Sequence, residues 1–192
     1  MKTQTLNKIK AVLFLLLLVV ISVIIIYNSV SLVMQTVYPR GYSDIVEAKA
    51  EEYNVDKALL YALIETESGF DENAVSSVGA RGLMQIMPET FLWLCEKEGE
   101  AYTEEDLFTP EVNIKYGTMY YGMMLKKFGD IETAVAAYHA GTTNVKKWLS
   151  DENYSLDGKT LYDIPFPQTK AYVERVMKTK NIYEKNYDLT EE

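Results

Sequence analysis

A run of residues without any charge, from Ala11 to Pro39, limits what this chain can fold into more than any other feature. Its first part, Ala11 to Tyr27, reads AVLFLLLLVVISVIIIY and is almost wholly apolar. As an α-helix the 29 residues would extend for about 43 Å, whereas the hydrocarbon core of a bilayer is about 30 Å thick. The run is too long for the core of a signal peptide, so we predict a transmembrane anchor over residues 11–37.

The residues around this run predict its orientation. Lys2, Lys8 and Lys10 precede it, and by the positive-inside rule they place residues 1–10 in the cytoplasm. The rest of the chain would then lie on the extracytoplasmic side of a single-pass protein of the cell membrane. No small-x-small cleavage site follows closely and no cysteine lies nearby to carry a lipid, so we expect the anchor to remain uncleaved.

Charge separates along the chain in the same way. All 28 acidic residues and 16 of the 19 basic residues follow Pro39, so this part carries a net charge of −12. A nucleic-acid partner is disfavoured, because binding it requires a basic face. Cys95 is the only cysteine, which excludes an intrachain disulfide. A part of roughly 150 residues is large enough to form one domain with its own core.

Helical signals dominate this domain. Asp56 is a good N-cap, Pro88 suits the first turn of a helix, and Gly69, Gly129 and Gly141 are expected to end helices. Residues 75–87 are predicted to form an ordered glycine-containing loop, and no hairpin signal stands out. The predicted fold is mostly α, with helices over residues 42–53, 56–68, 88–97, 110–128, 130–140, 143–149 and 168–185.

Two glutamates stand close together at the end of the second of these helices, in the stretch ETESGFDEN. At 100° per residue, Glu67 shares a face with Leu60, Leu63 and Ile64, whereas Glu65 points toward the solvent side. A carboxylate held against apolar side chains has a raised pKa, which suits a general acid. On this feature alone, the simpler interpretation is that Glu67 caps a neighbouring backbone group or pairs with a base.

The glycine-containing loop offers a second candidate feature. Its sequence, SSVGARGLMQIMPET, presents Ser76, Ser77 and Gln85 as hydrogen-bonding groups among glycines, where a flexible polymer could approach the backbone closely. A glycine loop that simply packs against the helix would account for Gly79 and Gly82. It would not account for a glutamine between two apolar residues.

Four blocks in order carry a resemblance to a known family. They read ALIETESGFDENAVSSVGARGLMQIMPET, EVNIKYGTMYYGMML, AVAAYHAG and IPFPQTKAYVERV. Together they resemble the soluble-lytic-transglycosylase group, lysozyme-like enzymes that cleave the glycan strands of peptidoglycan. The resemblance covers roughly residues 45–183 and implies a goose-type, lysozyme-like helical domain, which we assign to residues 44–187. Residues 38–43 would be a juxtamembrane linker and residues 188–192 a tail.

The resemblance implies a role for individual residues. Glu67 matches the single catalytic glutamate of the family, while Gly82 and Asn113 match positions that shape the loop and tie a helix to it. His139 stands where asparagine is usual and Gln168 where glutamate is usual. We interpret His139 as a hydrogen-bonding replacement. The residues expected to contact substrate are Ser76, Met84, Gln85, Tyr138, His139 and Tyr172.

The implied reaction needs one carboxylate. Glu67 would protonate the glycosidic oxygen beyond N-acetylmuramic acid and then accept a proton from a hydroxyl of the same sugar, so that an anhydro ring closes. No metal or organic cofactor is implied, and the expected partners are peptidoglycan strands and the lipid bilayer. Two alternatives stay open: a hydrolytic muramidase of the same fold, and a wall-binding or scaffold protein without activity. The tyrosines at 102, 116, 120 and 121 could stack on sugars, but at helical spacing most of them are expected in the core.

Overall fold

The protein is described by a computed structural model that covers residues 2–189. The chain divides between Pro39 and Arg40 into two units. The first contains helix α1, Lys2–Val37. Within it, Val12–Val37 is long and apolar enough to cross a membrane, with a mean hydropathy of 2.8 over an 18-residue window. At 1.5 Å per residue these 26 residues extend for about 39 Å.

The second unit is built from helices and loops. Within the described residues it contains no β-strand, only isolated bridges that join Arg81 to Val75 and to Ile86. Its helices are α2 Ser43–Glu52, α3 Lys57–Ser68, α4 Pro88–Glu98, a 3₁₀ helix Glu104–Phe108, α5 Pro110–Phe128, α6 Ile131–Ala140, α7 Thr142–Leu149 and α8 Pro167–Asn186.

Most helices begin and end at the capping residues that the sequence predicted. The Asp56 carboxylate accepts a hydrogen bond from the Leu59 amide at 2.8 Å and so caps α3. Gly69 ends the same helix in the left-handed conformation, at φ +60°. The 3₁₀ helix lies in a stretch for which no element was predicted. It begins with a capping box between Thr103 and Asp106.

Helix α3 is the centre of the core. It packs most extensively against α8 and also against α2, while α6 packs against both α5 and α8. All seven residues from Ala58 to Ile64 are buried, so α3 has no solvent face along its middle. Each large apolar side chain buried here contributes about 1.5–3 kcal/mol. The end of α3 is therefore held in a fixed place.

The loop between α3 and α4 is fastened to α5 by one buried side chain. Asn113 donates hydrogen bonds to the carbonyl oxygens of Arg81 and Leu107, at 3.0 and 2.7 Å, and its Oδ1 accepts one from the Met84 amide at 2.7 Å. Gly82 has φ +73°, and a Cβ atom there would lie 2.2 Å from the Leu107 carbonyl oxygen. The architectural roles expected for Gly82 and Asn113 are thus confirmed.

The first residues of the second unit are held by contacts with its helices. The Arg40 guanidinium is hydrogen-bonded to Glu47 and lies over the rings of Tyr61 and Tyr187, at 5.8 and 5.5 Å from their centroids. The Tyr42 hydroxyl donates a hydrogen bond to Glu72 at 2.7 Å. The first residues after Pro39 are therefore packed on the helical domain itself.

Of the four tyrosines expected mainly in the core, Tyr116 and Tyr121 are fully buried. Tyr102 is partly buried and packs edge-on against Tyr116, with ring centroids 6.0 Å apart. Tyr120 is also partly buried, but it faces open space on the side of α5 toward the candidate site. The expected core position is therefore confirmed for Tyr116 and Tyr121, whereas Tyr102 and Tyr120 are only partly buried.

Candidate active site

Glu67 lies in the last turn of α3, and its carboxylate meets the side of α8. The Tyr172 hydroxyl donates a hydrogen bond to Glu67 Oε1 at 2.6 Å. Burial raises the pKa of Glu67 to about 7, while the Tyr172 hydrogen bond and the positive charge of Arg175 act in the opposite direction. Near neutral pH both the acid and the carboxylate are populated, so this group can donate a proton and later accept one.

Glu65 is not the solvent-facing residue that helical phase predicted. It is partly buried, and burial raises its pKa above the ordinary value as well. The prediction was wrong because it assumed that α3 has one buried face, whereas the helix is enclosed along most of its length. Two features distinguish the carboxylates: burial raises the pKa of Glu67 much further than that of Glu65, and only Glu67 accepts the Tyr172 hydrogen bond.

Two tyrosine hydroxyls lie near Glu67. Tyr138, in the last turn of α6, donates a hydrogen bond to the Met84 carbonyl oxygen at 2.7 Å. Burial, followed by the negative charge of Glu67, holds the pKa of both Tyr138 and Tyr172 well above 10. Both phenols therefore keep their protons at neutral pH and act as hydrogen-bond donors.

His139 stands at the rim of this group. Its ring packs against Tyr172 with centroids 4.4 Å apart, and its Nδ1 lies 3.1 Å from the Thr169 hydroxyl oxygen. Partial burial and the nearby charge of Arg175 lower its pKa from the ordinary value of 6.5, so the imidazole is mainly neutral at pH 7. Gln168, the second departure from the family pattern, is exposed in the first turn of α8.

The predicted loop residues use most of their polar groups within the loop. The Ser76 hydroxyl accepts a hydrogen bond from the Ala80 amide at 2.9 Å. Gln85, in the left-handed region at φ +47°, donates its side-chain amide to the carbonyl oxygens of Ala74 and Gly82. Met84 is fully buried, and its sulfur occupies the space left by Gly117 in α5. These contacts make the loop a rigid wall.

A cleft of about 260 Å³ lies next to the group of residues around Glu67: Tyr138 and His139 line it, whereas Glu67 itself does not. Three of the six predicted substrate residues line it, namely Gln85, Tyr138 and His139, whereas Ser76, Met84 and Tyr172 do not. The sequence offered no signal for Thr90, and Tyr120, one of the tyrosines that could stack on sugars, was expected mainly in the core. The full lining is Gln85, Ile86, Met87, Thr90, Tyr120, Tyr138, His139, Ala140 and Gly141.

Arg175 is a further neighbour that motif matching did not identify. It lies one helical turn after Tyr172 on α8, and within residues 2–189 it forms no ion pair. The spacing of three residues from Tyr172 is the signal that could have found it, because residues three apart share a helix face. Within the same residues, no group of three or more His, Cys, Asp or Glu side chains could hold a metal ion.

Comparison with known protein families gives one matching domain. Residues 44–161 match the family described as the transglycosylase SLT domain. Among curated proteins, the chain is 35% identical over 142 residues to a putative soluble lytic murein transglycosylase of Haemophilus influenzae, covering 72% of this chain and 24% of that protein. It is 32% identical over 122 residues to membrane-bound lytic murein transglycosylase C of Edwardsiella ictaluri, covering 58% and 34%.

The fold is shared with solved structures of the same kind. The 70-kDa soluble lytic transglycosylase of Escherichia coli matches with a TM-score of 0.71 at 27% identity, over 79% of this chain and 25% of that one. An inactive glutamate-to-glutamine mutant of lytic transglycosylase Slt from Pseudomonas aeruginosa matches with a TM-score of 0.68 at 30% identity, over 77% and 25%. The predicted fold class, a mostly α lysozyme-like domain, is confirmed. The present chain spans about a quarter of the length of these proteins.

Proposed function

Because this chain belongs to the transglycosylase SLT domain family, we propose that it is a membrane-anchored murein lytic transglycosylase. In this proposal it cleaves the glycosidic bond from N-acetylmuramic acid to N-acetylglucosamine and leaves anhydromuramic ends. One observation carries the proposal: a single carboxylate, Glu67, has a pKa of about 7 and is bound by a tyrosine hydroxyl beside an open cleft.

The proposed reaction has two proton transfers through Glu67. In the first, the protonated carboxyl gives its proton to the glycosidic oxygen, the bond from that oxygen to the muramic acid C1 breaks, and N-acetylglucosamine leaves with a hydroxyl. In the second, the primary hydroxyl of the same muramic acid attacks C1, and the Glu67 carboxylate takes its proton. The attacking group is tethered to the reacting centre, which replaces an activated water. A pKa near 7 suits both steps.

The neighbouring residues have supporting roles in this proposal. Tyr172 holds the Glu67 carboxylate in place and stabilises its charged form through the hydrogen bond at 2.6 Å. Tyr138 fastens the loop to α6 through its hydrogen bond to the Met84 carbonyl, and Gln85 and His139 form part of the wall that a sugar would contact. Ser76, Met84 and Gln85 act mainly by keeping the loop in shape, since the side chains of Ser76 and Gln85 bond to loop backbone and the Met84 amide donates to the Asn113 side chain.

The anchor is the second part of the proposal. Helix α1 would cross the cell membrane once over residues 11–37, with residues 1–10 in the cytoplasm and the domain of residues 44–187 on the extracytoplasmic side. The apolar segment Val12–Val37 supports this topology, and so do the three lysines that precede it. A similar protein is described as membrane-bound. The partners would be peptidoglycan strands and the lipid bilayer.

The test is digestion of purified peptidoglycan by the full chain in detergent, with products identified by mass spectrometry. We expect anhydromuramic ends from the parent and at least about 100-fold less product from Glu67→Gln. Glu65→Gln is the matched control, since it makes the same change on the same helix turn and should keep activity within about threefold.

Other outcomes would favour the alternatives. Reducing ends in place of anhydro ends would identify a hydrolytic muramidase of the same fold. Binding of peptidoglycan without any product would leave a wall-binding or scaffold protein. Equal cleavage by the parent and by Glu67→Gln would overturn the catalytic role of Glu67.

A further inference from the structure

A groove of about 400 Å³ lies between α4 and α5 and is not required by the reaction described above. We name it the Trp93 groove, after the largest side chain in it. Its volume falls within the range of about 300–1,000 Å³ that is usual for ligand sites. The lining residues are Glu89, Thr90, Trp93, Tyr120, Met123, Met124, Lys127 and Thr142.

The side chain of Trp93 is not part of the hydrophobic core. Its side chain is 47% exposed, whereas the only other tryptophan, Trp148, is 6% exposed. Phe91, Leu94 and Cys95 fill the buried side of α4 without it. Within residues 2–189, no hydrogen bond or aromatic ring contact holds the indole. A single exposed side chain is common on protein surfaces, so it is the position of Trp93 in a groove that indicates a binding site.

The groove is continuous with the cleft beside Glu67. Thr90 and Tyr120 line both cavities. The Tyr120 ring lies 5.5 Å from the Tyr138 ring, which in turn borders the proposed catalytic group. A polymer that occupies the cleft can therefore extend past Tyr120 and reach Trp93 without leaving the protein surface.

The chemistry of the lining fits a sugar better than a purely apolar ligand. Trp93, Tyr120 and two methionines offer apolar surface, and a pyranose ring has an apolar C–H face that packs flat against an aromatic ring. The hydroxyls of Thr90 and Thr142 and the charges of Glu89 and Lys127 offer hydrogen bonds at the edges, as the ring hydroxyls and acetamido groups of a glycan require.

We propose that the Trp93 groove is a saccharide-binding subsite, which holds a sugar of the glycan strand distant from the bond that is cut, with its ring against Trp93. This inference rests on the proposed function for the identity of the strand. It makes Trp93 a residue of substrate binding and not of the chemical step, so its effect depends on the length of the substrate.

The first experiment compares Trp93→Ala with Leu92→Ala in the full chain. Leu92 is the next residue on the same helix, is 40% exposed and does not line the groove. On long glycan strands we expect Trp93→Ala to raise KM roughly tenfold with kcat little changed. On the shortest strand that is cleaved, both variants should equal the parent. A rise in KM of Trp93→Ala below about twofold on long strands, or an equal rise at every strand length, would overturn the proposal.

The second experiment does not need turnover. In the full chain carrying Glu67→Gln and Trp148→Phe, Trp93 is the only tryptophan and reports on its own surroundings. Titration with oligomers of N-acetylglucosamine, from dimer to hexamer, should change the Trp93 emission with the longer oligomers and not with the dimer. Unchanged emission with every oligomer, or a response only to free stem peptide, would contradict a saccharide subsite.

The two proposals can fail separately. If the parent does not cleave peptidoglycan but the longer oligomers still change the Trp93 emission, the subsite stands and the catalytic proposal fails. If Glu67→Gln abolishes cleavage while Trp93→Ala behaves as the parent does on long strands, the catalytic proposal stands and the subsite fails.

Discussion

At the scale of single residues, the protonation of Glu67 results from opposing effects. Burial raises its pKa, whereas the Tyr172 hydrogen bond and the charge of Arg175 lower it, and together they leave the value at about 7. The same residue therefore suits the acid and the base role only while its neighbours stay in place. Changing one neighbour should move the pH dependence of the reaction, not simply reduce its rate.

Replacing Tyr172 by phenylalanine tests this balance. The hydrogen bond at 2.6 Å stabilises the charged form, so its loss should raise the pKa of Glu67 above about 7. We expect a loss of roughly tenfold in rate at pH 7 and a profile displaced toward higher pH, measured as product release from peptidoglycan. Tyr162→Phe is the control, because it removes the hydroxyl of an exposed loop tyrosine that bonds only a backbone carbonyl. An unchanged profile for Tyr172→Phe would contradict this account.

The raised pKa of Glu67 also has a consequence for stability. Between its ordinary value of 4.5 and about 7, the folded chain binds a proton that the unfolded chain has released. The stability contributed by this group therefore falls as pH rises through that window. Glu67→Gln should raise the free energy of unfolding at pH 8 by on the order of 2 kcal/mol, with no difference near pH 4. Denaturant unfolding of both proteins at the two pH values measures it, and an equal difference at pH 4 would argue against ionisation as the cause.

At the scale of elements, the loop before α4 owes its shape to Gly82. A Cβ at this position would lie 2.2 Å from both the Leu107 carbonyl oxygen and the Asn113 side chain. Gly99 is a natural comparison, since it has almost the same backbone angle, φ +72°, and open space around it. Comparing alanine substitutions at the two glycines therefore distinguishes the cost of backbone strain from the cost of a steric clash.

We therefore expect Gly99→Ala to cost about 1 kcal/mol of unfolding free energy, which is the strain of the left-handed conformation. Gly82→Ala should cost more than about 3 kcal/mol, because Asn113 must release its hydrogen bonds in the buried loop. Thermal unfolding compares the two. Equal destabilisation would show that contact between Gly82 and Asn113 does not matter.

The same elements show what the sequence could predict. Asp56, Pro88, Gly69 and Gly129 act through their own backbone neighbours, and the helices they delimit lie where local signals put them. The 3₁₀ helix was missed because a capping box without an apolar period gives little signal. Helical phase singled out Glu67, and the family resemblance pointed to Tyr138 and Tyr172. Neither could predict the environment of Glu65, which depends on how many helices enclose α3.

At the scale of the whole molecule, attachment to the bilayer is a proposal that fractionation can test. If Val12–Val37 spans the membrane, the full chain should remain with membranes after washing at high salt or high pH and be released by detergent. A variant that begins at Tyr38 should be found in the soluble fraction. Release of the full chain by salt alone would indicate attachment through charge instead.

Arg40 and Tyr42 pack on the domain, and this limits the length of free chain between α1 and the domain. Between the last residue of α1, Val37, and the fastened Arg40, the backbone can extend for only about 10 Å. If α1 spans the membrane, so short a connection keeps the domain next to the membrane surface. Such an enzyme would cleave only the glycan strands that lie close to the membrane, and strands farther out would have to be brought to it.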